Sequence, residues 1–236
     1  VADRSDWRAL PYCGTYAQLE EVFQREQPDE VVVALPTEEG QWMGKIINAC
    51  EMLYQTMNFK DITIKEIGNV TSFSRTSIYN YFETKEEIFL ALLKREYDAW
   101  ILDLHKIVEE HESMDDEQIA SAIAKSLDQR HQLLKILSMN HYDLEENSRI
   151  EMLIEFKVSY GNSLRAVMGI LAKFRPDMDI EKRQEFVYAF FPFMFGIYPY
   201  TVVTKKQKKA MKEAGVDYTY NSVYELTYTA VKKMLK

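Results

Sequence analysis

At 236 residues the chain is long enough for one large domain or two modest ones, and its 47% hydrophobic and 28% charged residues are those of an ordinary globular protein. No run of about eighteen apolar residues occurs, so no membrane-spanning helix is expected. The formal net charge of −8 argues against a generic polyanion binder, and any nucleic-acid contact has to come from a local patch. Nine acids against three Arg stand in residues 1–40, which leaves 26 basic and 28 acidic residues in 41–236. Eight Gly and six Pro are few, while Met and aromatics are plentiful, and that mix favours long helices. The acidic start lacks a signal peptide's basic flank, and Cys13 and Cys50 make no disulfide framework. A reducing cytoplasm is the expected location.

Residues 1–40 read differently from the rest. "TYAQLEEVFQREQ" has a helical pattern, and "PDEVVVALP" reads as a short buried strand from Val31 to Leu35. From Gln41 onward the pattern is helical almost throughout. "GKIINACEMLYQTM" places Ile46, Ile47, Ala49, Cys50, Leu53 and Tyr54 on one face. Asp61 or Thr63 can cap "IKEIGN", "VTSF" turns the chain into the short helix "SRTSIYNYF", and Thr84 caps a long helix from Lys85 to about Glu110. Four further helical segments follow, ending in "SVYELTYTAVKKML". The fold class expected is all-α. Three units are expected: residues 1–40, an atypical helix–strand extension; residues 41–90, three helices; and residues 91–236, a larger helical domain.

Two short helices joined by a tight turn, within residues 62–82, make a helix-turn-helix plan whose second helix enters the major groove. Ile64, Ile67, Phe73, Ile78 and Phe82 supply the inward face, and Ser74 caps the second helix. Arg75, Thr76, Ser77 and Asn80 then face outward with chemistry suited to base edges: Arg for guanine, Asn for adenine, the Thr methyl for thymine. Lys65, Tyr79 and Lys85 are placed for the sugar-phosphate rails. Read without DNA, the same helical pair with a Ser cap is a common structural element, and its aromatics are ordinary core.

The stretch "ITIKEIGNVTSFSRTSIYNYFETKEEIFLALL" closely resembles the DNA-binding domain of the TetR family of bacterial transcriptional regulators. The order and spacing of Tyr79, Phe82 and Lys85 in "SRxxIYNYFxxKEEI" carry the match, which runs from about Lys45 to Leu93. The resemblance implies that Arg75, Thr76, Ser77 and Asn80 read bases and that Thr63, Tyr79 and Lys85 hold phosphates. It extends the plan over residues 41–236, with 41–90 as the helix-turn-helix DNA-binding domain and 91–236 as the helical ligand-binding and dimerisation domain, and implies a homodimer on a palindromic double-stranded operator, released by a small-molecule effector. One departure stands at the turn, where Thr71-Ser72 replace the family's usual Gly. Separately, residues 1–40 resemble a Rossmann-like fragment of bacterial polyprenyl-phosphate sugar-phosphate transferases, without any catalytic motif.

Beyond the head, Trp100, Met139, Tyr142, Phe156, Tyr160, Met168, Phe190, Phe193 and Met194 are the candidate effector-pocket lining, each equally readable as plain core. Pro192, Gly196 and Pro199 inside "YAFFPFMFGIYPYT" predict a kink or a break. The lysines of "TKKQKKAMKEAG" predict an exposed loop or helix end. For dimerisation the apolar faces of "EFVYAFFPFMFGIY" and "VYELTYTAVKKML" are the candidates, the latter with Val223, Leu226, Ala230 and Leu235 in a stripe. The four His residues show no metal-ligand spacing, and no nucleophile-elbow or phosphate-loop motif occurs, so no enzyme activity, metal or cofactor is expected. Two rivals to a DNA-binding repressor remain at this stage. One is an adaptor that keeps the fold without operator binding, which gel shifts would separate. The other is a sugar-phosphate transferase, which would need the membrane helices and catalytic acids that this sequence lacks.

Overall fold

The computed structural model describes residues 38–236, and the helix–strand expectation for the chain's start lies on residues outside that range. Among the described residues every regular element is helical and none is a strand. Ten α-helices follow in order: α1 (Glu38–Thr56), α2 (Ile64–Val70), α3 (Arg75–Tyr79), α4 (Lys85–Glu110), α5 (Asp116–Asp128), α6 (His131–Glu146), α7 (Ile150–Phe174), α8 (Ile180–Thr201), α9 (Lys205–Glu213) and α10 (Val223–Met234). Met43–Lys236 form one compact unit. No single described helix is long and apolar enough to cross a membrane.

The helix starts follow from local chemistry. Thr63, Ser74, Thr84, Asp115, Asp179, Thr204 and Ser222 each accept a hydrogen bond from the backbone amide three residues on. Such a cap satisfies an amide the helix cannot pair and is worth about 1 kcal/mol. Asp115, Thr204 and Ser222 complete the reciprocal box with Gln118, Gln207 and Glu225.

α4 organises the rest. Its most extensive packing is against α7, which begins beside the start of α4 and ends where Lys173 Nζ donates to the Val108 carbonyl, 2.6 Å away. α5 turns back along it, held where Arg130 meets Asp103 and the Ala99 carbonyl. α6 returns the chain towards α1, and Lys135 Nζ donates to the Tyr54 carbonyl at 2.6 Å while lying 3.7 Å over the Tyr54 ring. At the opposite end Arg175 gathers Asp116, Asp177 and the Leu235 carbonyl. The buried side chains form one continuous core from Ile46 through Trp100 to Leu235.

Two expectations change. α8 is neither broken at Pro192 nor at Pro199 and runs unbroken to Thr201. Both prolines sit on its exposed side. Pro199 cannot donate to the Phe195 carbonyl, and Ser138 Oγ from α6 donates there instead, at 2.7 Å. On α10 the predicted stripe divides. Val223, Thr227, Val231 and Leu235 are buried, whereas Leu226, Ala230 and Met234 are half-exposed. The lysine segment is a short exposed helix, α9, between α8 and α10.

Candidate nucleic-acid interface

The head, residues 41–90, expected to read DNA, is built on apolar contacts between very short helices. Ile67, Ile78 and Phe82 are fully buried with Ile46, Cys50 and Ile62 of the same head. α2 and its following turn approach so closely that a Cβ on Gly68 would stand 3.2 Å from the Phe73 carbonyl oxygen. The turn itself is held by Thr71, whose Oγ1 donates to the Ile67 carbonyl at 3.0 Å and accepts from the Phe73 amide at 3.3 Å. The hydroxyl thus supplies the turn's local hydrogen bonds at the position where the Gly was expected. α3 is shorter than the expected helix. It ends at Tyr79 because the Tyr81 and Phe82 amides both turn to the Ile78 carbonyl, at 3.0 Å each, and Phe82 plugs the core behind it.

Ser74 caps α3 as expected: its Oγ accepts from the Ser77 amide at 3.1 Å and lies 2.8 Å from Ser77 Oγ. Arg75, Thr76 and Asn80 are exposed together, and Ser77 is half-buried with its hydroxyl engaged by the cap. Tyr79 is 52% exposed. Lys65 is exposed, and Thr63 is exposed while capping α2 and donating to Glu66. Lys85 is differently placed. Its ammonium donates to the Phe59 carbonyl at 2.8 Å and lies 4.2 Å over the Phe59 ring, so one of its three donors is spent inside the head.

The residues expected to line an effector pocket fall into several places. Trp100, Phe156, Phe190 and Met194 are buried, and Tyr160, Met168 and Phe193 are half-buried. Trp100, Phe156 and Tyr160 meet around Tyr97, which the sequence reading missed: ring centroids lie 6.4, 5.9 and 5.9 Å from that of Tyr97. His141 joins through Phe156 and through Phe195, whose centroid is 4.7 Å away. Tyr142 stands outside this group, 77% exposed, and the Met139 side chain lies outside the described residues. Trp100 Nε1 donates to Ser126 Oγ at 2.9 Å. Tyr97 Oη and His141 Nδ1 are buried without a hydrogen-bond partner. Burial lowers the His141 pKa against the pull of Glu145, whose Oε1 lies 3.0 Å from Nε2. With the proton of the neutral ring donated to Glu145, Nδ1 is left as a bare acceptor. Among the described residues no group of three or more His, Cys, Asp or Glu is arranged to hold a metal ion.

Residues 46–92 match the family model of bacterial regulatory proteins of the tetR family, and residues 94–221 match the tetracyclin repressor-like C-terminal domain. The chain belongs to the TetR family. It is a TetR-family transcriptional regulator with a helix-turn-helix DNA-binding domain, and the two matched TetR segments meet within α4. No curated protein matches the chain significantly. Among solved structures, the fatty acid degradation regulator FadR from Bacillus halodurans superposes with a TM-score of 0.55 at 14% identity, over 84% of this chain and 97% of that one. FadR from Bacillus subtilis in complex with stearoyl-CoA gives 0.50 at 15% identity, over 81% and 97%. At such identities the likeness is one of TetR fold.

Proposed function

We propose that this TetR-family regulator is a ligand-responsive repressor that binds a palindromic operator as a homodimer and leaves it when a small molecule binds. Residues 41–90 are the reading head, and residues 91–236 bind the effector and dimerise. One observation carries the reading most directly. Arg75, Thr76 and the C-cap Asn80 are exposed together on α3, whose inward Ile78 and the Phe82 just beyond it are fully buried. Base-edge donors on a rigid mount are what direct readout requires. Thr63, Lys65, Tyr79 and the remaining donors of Lys85 hold phosphates, and Ser77 contributes through the cap it shares with Ser74.

The effector reading draws on the aromatic group around Tyr97. An unpaired buried hydroxyl costs roughly 1–3 kcal/mol, and Tyr97 Oη with His141 Nδ1 makes two such atoms beside Phe156. A mostly apolar effector bearing a hydroxyl, amide or carboxyl group would satisfy both. Stearoyl-CoA, held in the Bacillus subtilis FadR structure, is the first compound to screen, beside hydroxylated aromatics. For the dimer, α8 exposes Tyr188 at 69%, and half-exposed Phe193 borders an open groove with Leu226, Ala230 and Met234 of α10.

Footprinting on genomic fragments tests the reading. The expected result is a two-fold symmetric footprint with half-sites about 34 Å apart or a modest variation on it. Arg75→Ala and Asn80→Ala should each weaken binding by about 1–3 kcal/mol in a gel shift. Unchanged affinity in both variants, or no retained fragment, would overturn it in favour of an adaptor without operator binding.

A further inference from the structure

We propose that Arg149, from the effector domain, is a positioning residue for the DNA-reading helix, acting through Glu87 and the Tyr81 carbonyl. The inference rests on the assignment of α3 as the reading helix. Arg149 is the residue before α7, and it reaches back across 62 positions to the start of α4. Glu87 Oε1 accepts from the Arg149 amide at 3.0 Å and from its Nε at 2.7 Å. Glu87 Oε2 accepts from Arg149 Nη2 at 2.9 Å and from the Glu83 amide at 2.7 Å. The same Nη2 donates to the Tyr81 carbonyl at 3.1 Å, and Nη1 lies 3.6 Å from Glu83 Oε1. Beside this knot Thr84 Oγ1 donates to the Asn147 carbonyl at 3.0 Å.

Glu87 is 0% exposed, and a carboxylate is kept in such a place only when paired and fully hydrogen-bonded. The partner comes from neither its own helix nor the head. The bonds land on Tyr81 and Glu83, on either side of the Phe82 plug that backs α3. α3 has only five residues, so its direction is set at its ends: the Ser74 cap in front and this knot behind. Among the described residues, the hydrogen bonds that reach residues 81–84 from beyond α4 all come from residues 147–149. Other ties to the head, Lys135 on the Tyr54 carbonyl and Arg95 on Asn48 and Glu51, hold α1 instead. Residues 147–149 join α6 to α7, the two helices that carry His141, Phe156 and Tyr160. A shift of either helix around an effector therefore pulls directly on the exit of the reading helix.

The test uses the full chain and a labelled duplex enriched from a random pool by the wild-type protein. Affinity is measured per folded molecule, and hydrogen exchange is followed at residues 80–84. Arg149→Met should weaken binding about tenfold, the equivalent of one charge-assisted bond, and speed exchange at 80–84. Arg149→Lys keeps the charge but cannot reach both Glu87 oxygens and the Tyr81 carbonyl at once, so it should fall between. Arg175→Met breaks a comparable arginine knot at the far end and should lower the melting temperature without changing affinity. The proposal is overturned if Arg149→Met binds within about twofold of wild type, or if Arg175→Met loses as much. Should Arg149→Met fail to fold, Arg149→Lys with wild-type affinity overturns it equally. If the wild-type protein enriches no duplex, the DNA-reading assignment fails. Unchanged exchange at 80–84 in the Arg149 variants would then still reject the positioning role by itself.

Discussion

Gly68 has little room for a side chain, because its Cβ would meet the Phe73 carbonyl oxygen at 3.2 Å, a backbone atom in the turn that Thr71 holds. Two effects oppose each other in Gly68→Ala. Alanine favours the α2 helix by about 0.5–1 kcal/mol, whereas the turn must give by a few tenths of an ångström. The expected outcome is a stability within about 1 kcal/mol of wild type by urea titration, with clearly weaker operator binding, because the displaced turn carries Ser74 and Arg75 with it. A variant that binds DNA as tightly as wild type would show that the turn's position does not matter. Lys85 shows the other side of single-residue reading. Its spacing predicts a phosphate contact, whereas in the structure its ammonium fastens Phe59, which packs edge-on against Phe89 at 4.8 Å.

At the scale of elements, local signals were legible and distant ones were not. Ser74 and Thr84 cap the helices that the sequence assigns to them, and of the two candidates for α2 Thr63 does so and Asp61 does not, because a cap is a contact across three residues. The inward set of Ile64, Ile67, Ile78 and Phe82 was equally visible from spacing. Glu87 with Arg149, Lys135 with Tyr54 and Tyr97 with its aromatic neighbours join residues far apart in the chain, and no local pattern announces them. On α8 the break did not form for the same reason. A proline pair predicts a kink or a break, but the helix continues, and the carbonyl freed by Pro199 is satisfied from α6 by Ser138. Ser138→Ala should therefore cost about 1–3 kcal/mol by leaving the Phe195 carbonyl without its donor. In a Pro199→Ala background the cost should shrink, since the restored amide takes over that carbonyl. A double-mutant cycle in denaturant reads the difference, and equal costs in the two backgrounds would break the link.

For the molecule as a whole, acidity tests the joint between head and body. Burial pushes Glu87 up, but bonds from Arg149 and from the Arg149 and Glu83 amides outweigh it and leave its pKa below the ordinary 4.5. Asp177, bonded by Arg175, is likewise lowered, to about 2. A carboxyl group lowered on folding adds stability that is fully present above its unfolded value and is lost as pH falls through the folded one. Stability should thus decline with acid from about pH 4.5 downward, and Glu87→Gln should flatten the upper part of that decline while Asp177 keeps the lower part. Melting curves between about pH 2 and 6 check this, and an unchanged acid slope in Glu87→Gln would contradict it.

The continuity of α4 from Lys85 to Glu110 has a mechanical meaning. At about 1.5 Å per residue, its 26 residues make a rod of roughly 39 Å with the helix-turn-helix at its foot. Tilting such a rod by about 5° about its far end swings the foot through about 3.4 Å, the rise of a single base-pair step. In the proposed dimer, a displacement too small to disturb the packing between neighbouring side chains at the pivot would put the two heads out of phase with their half-sites.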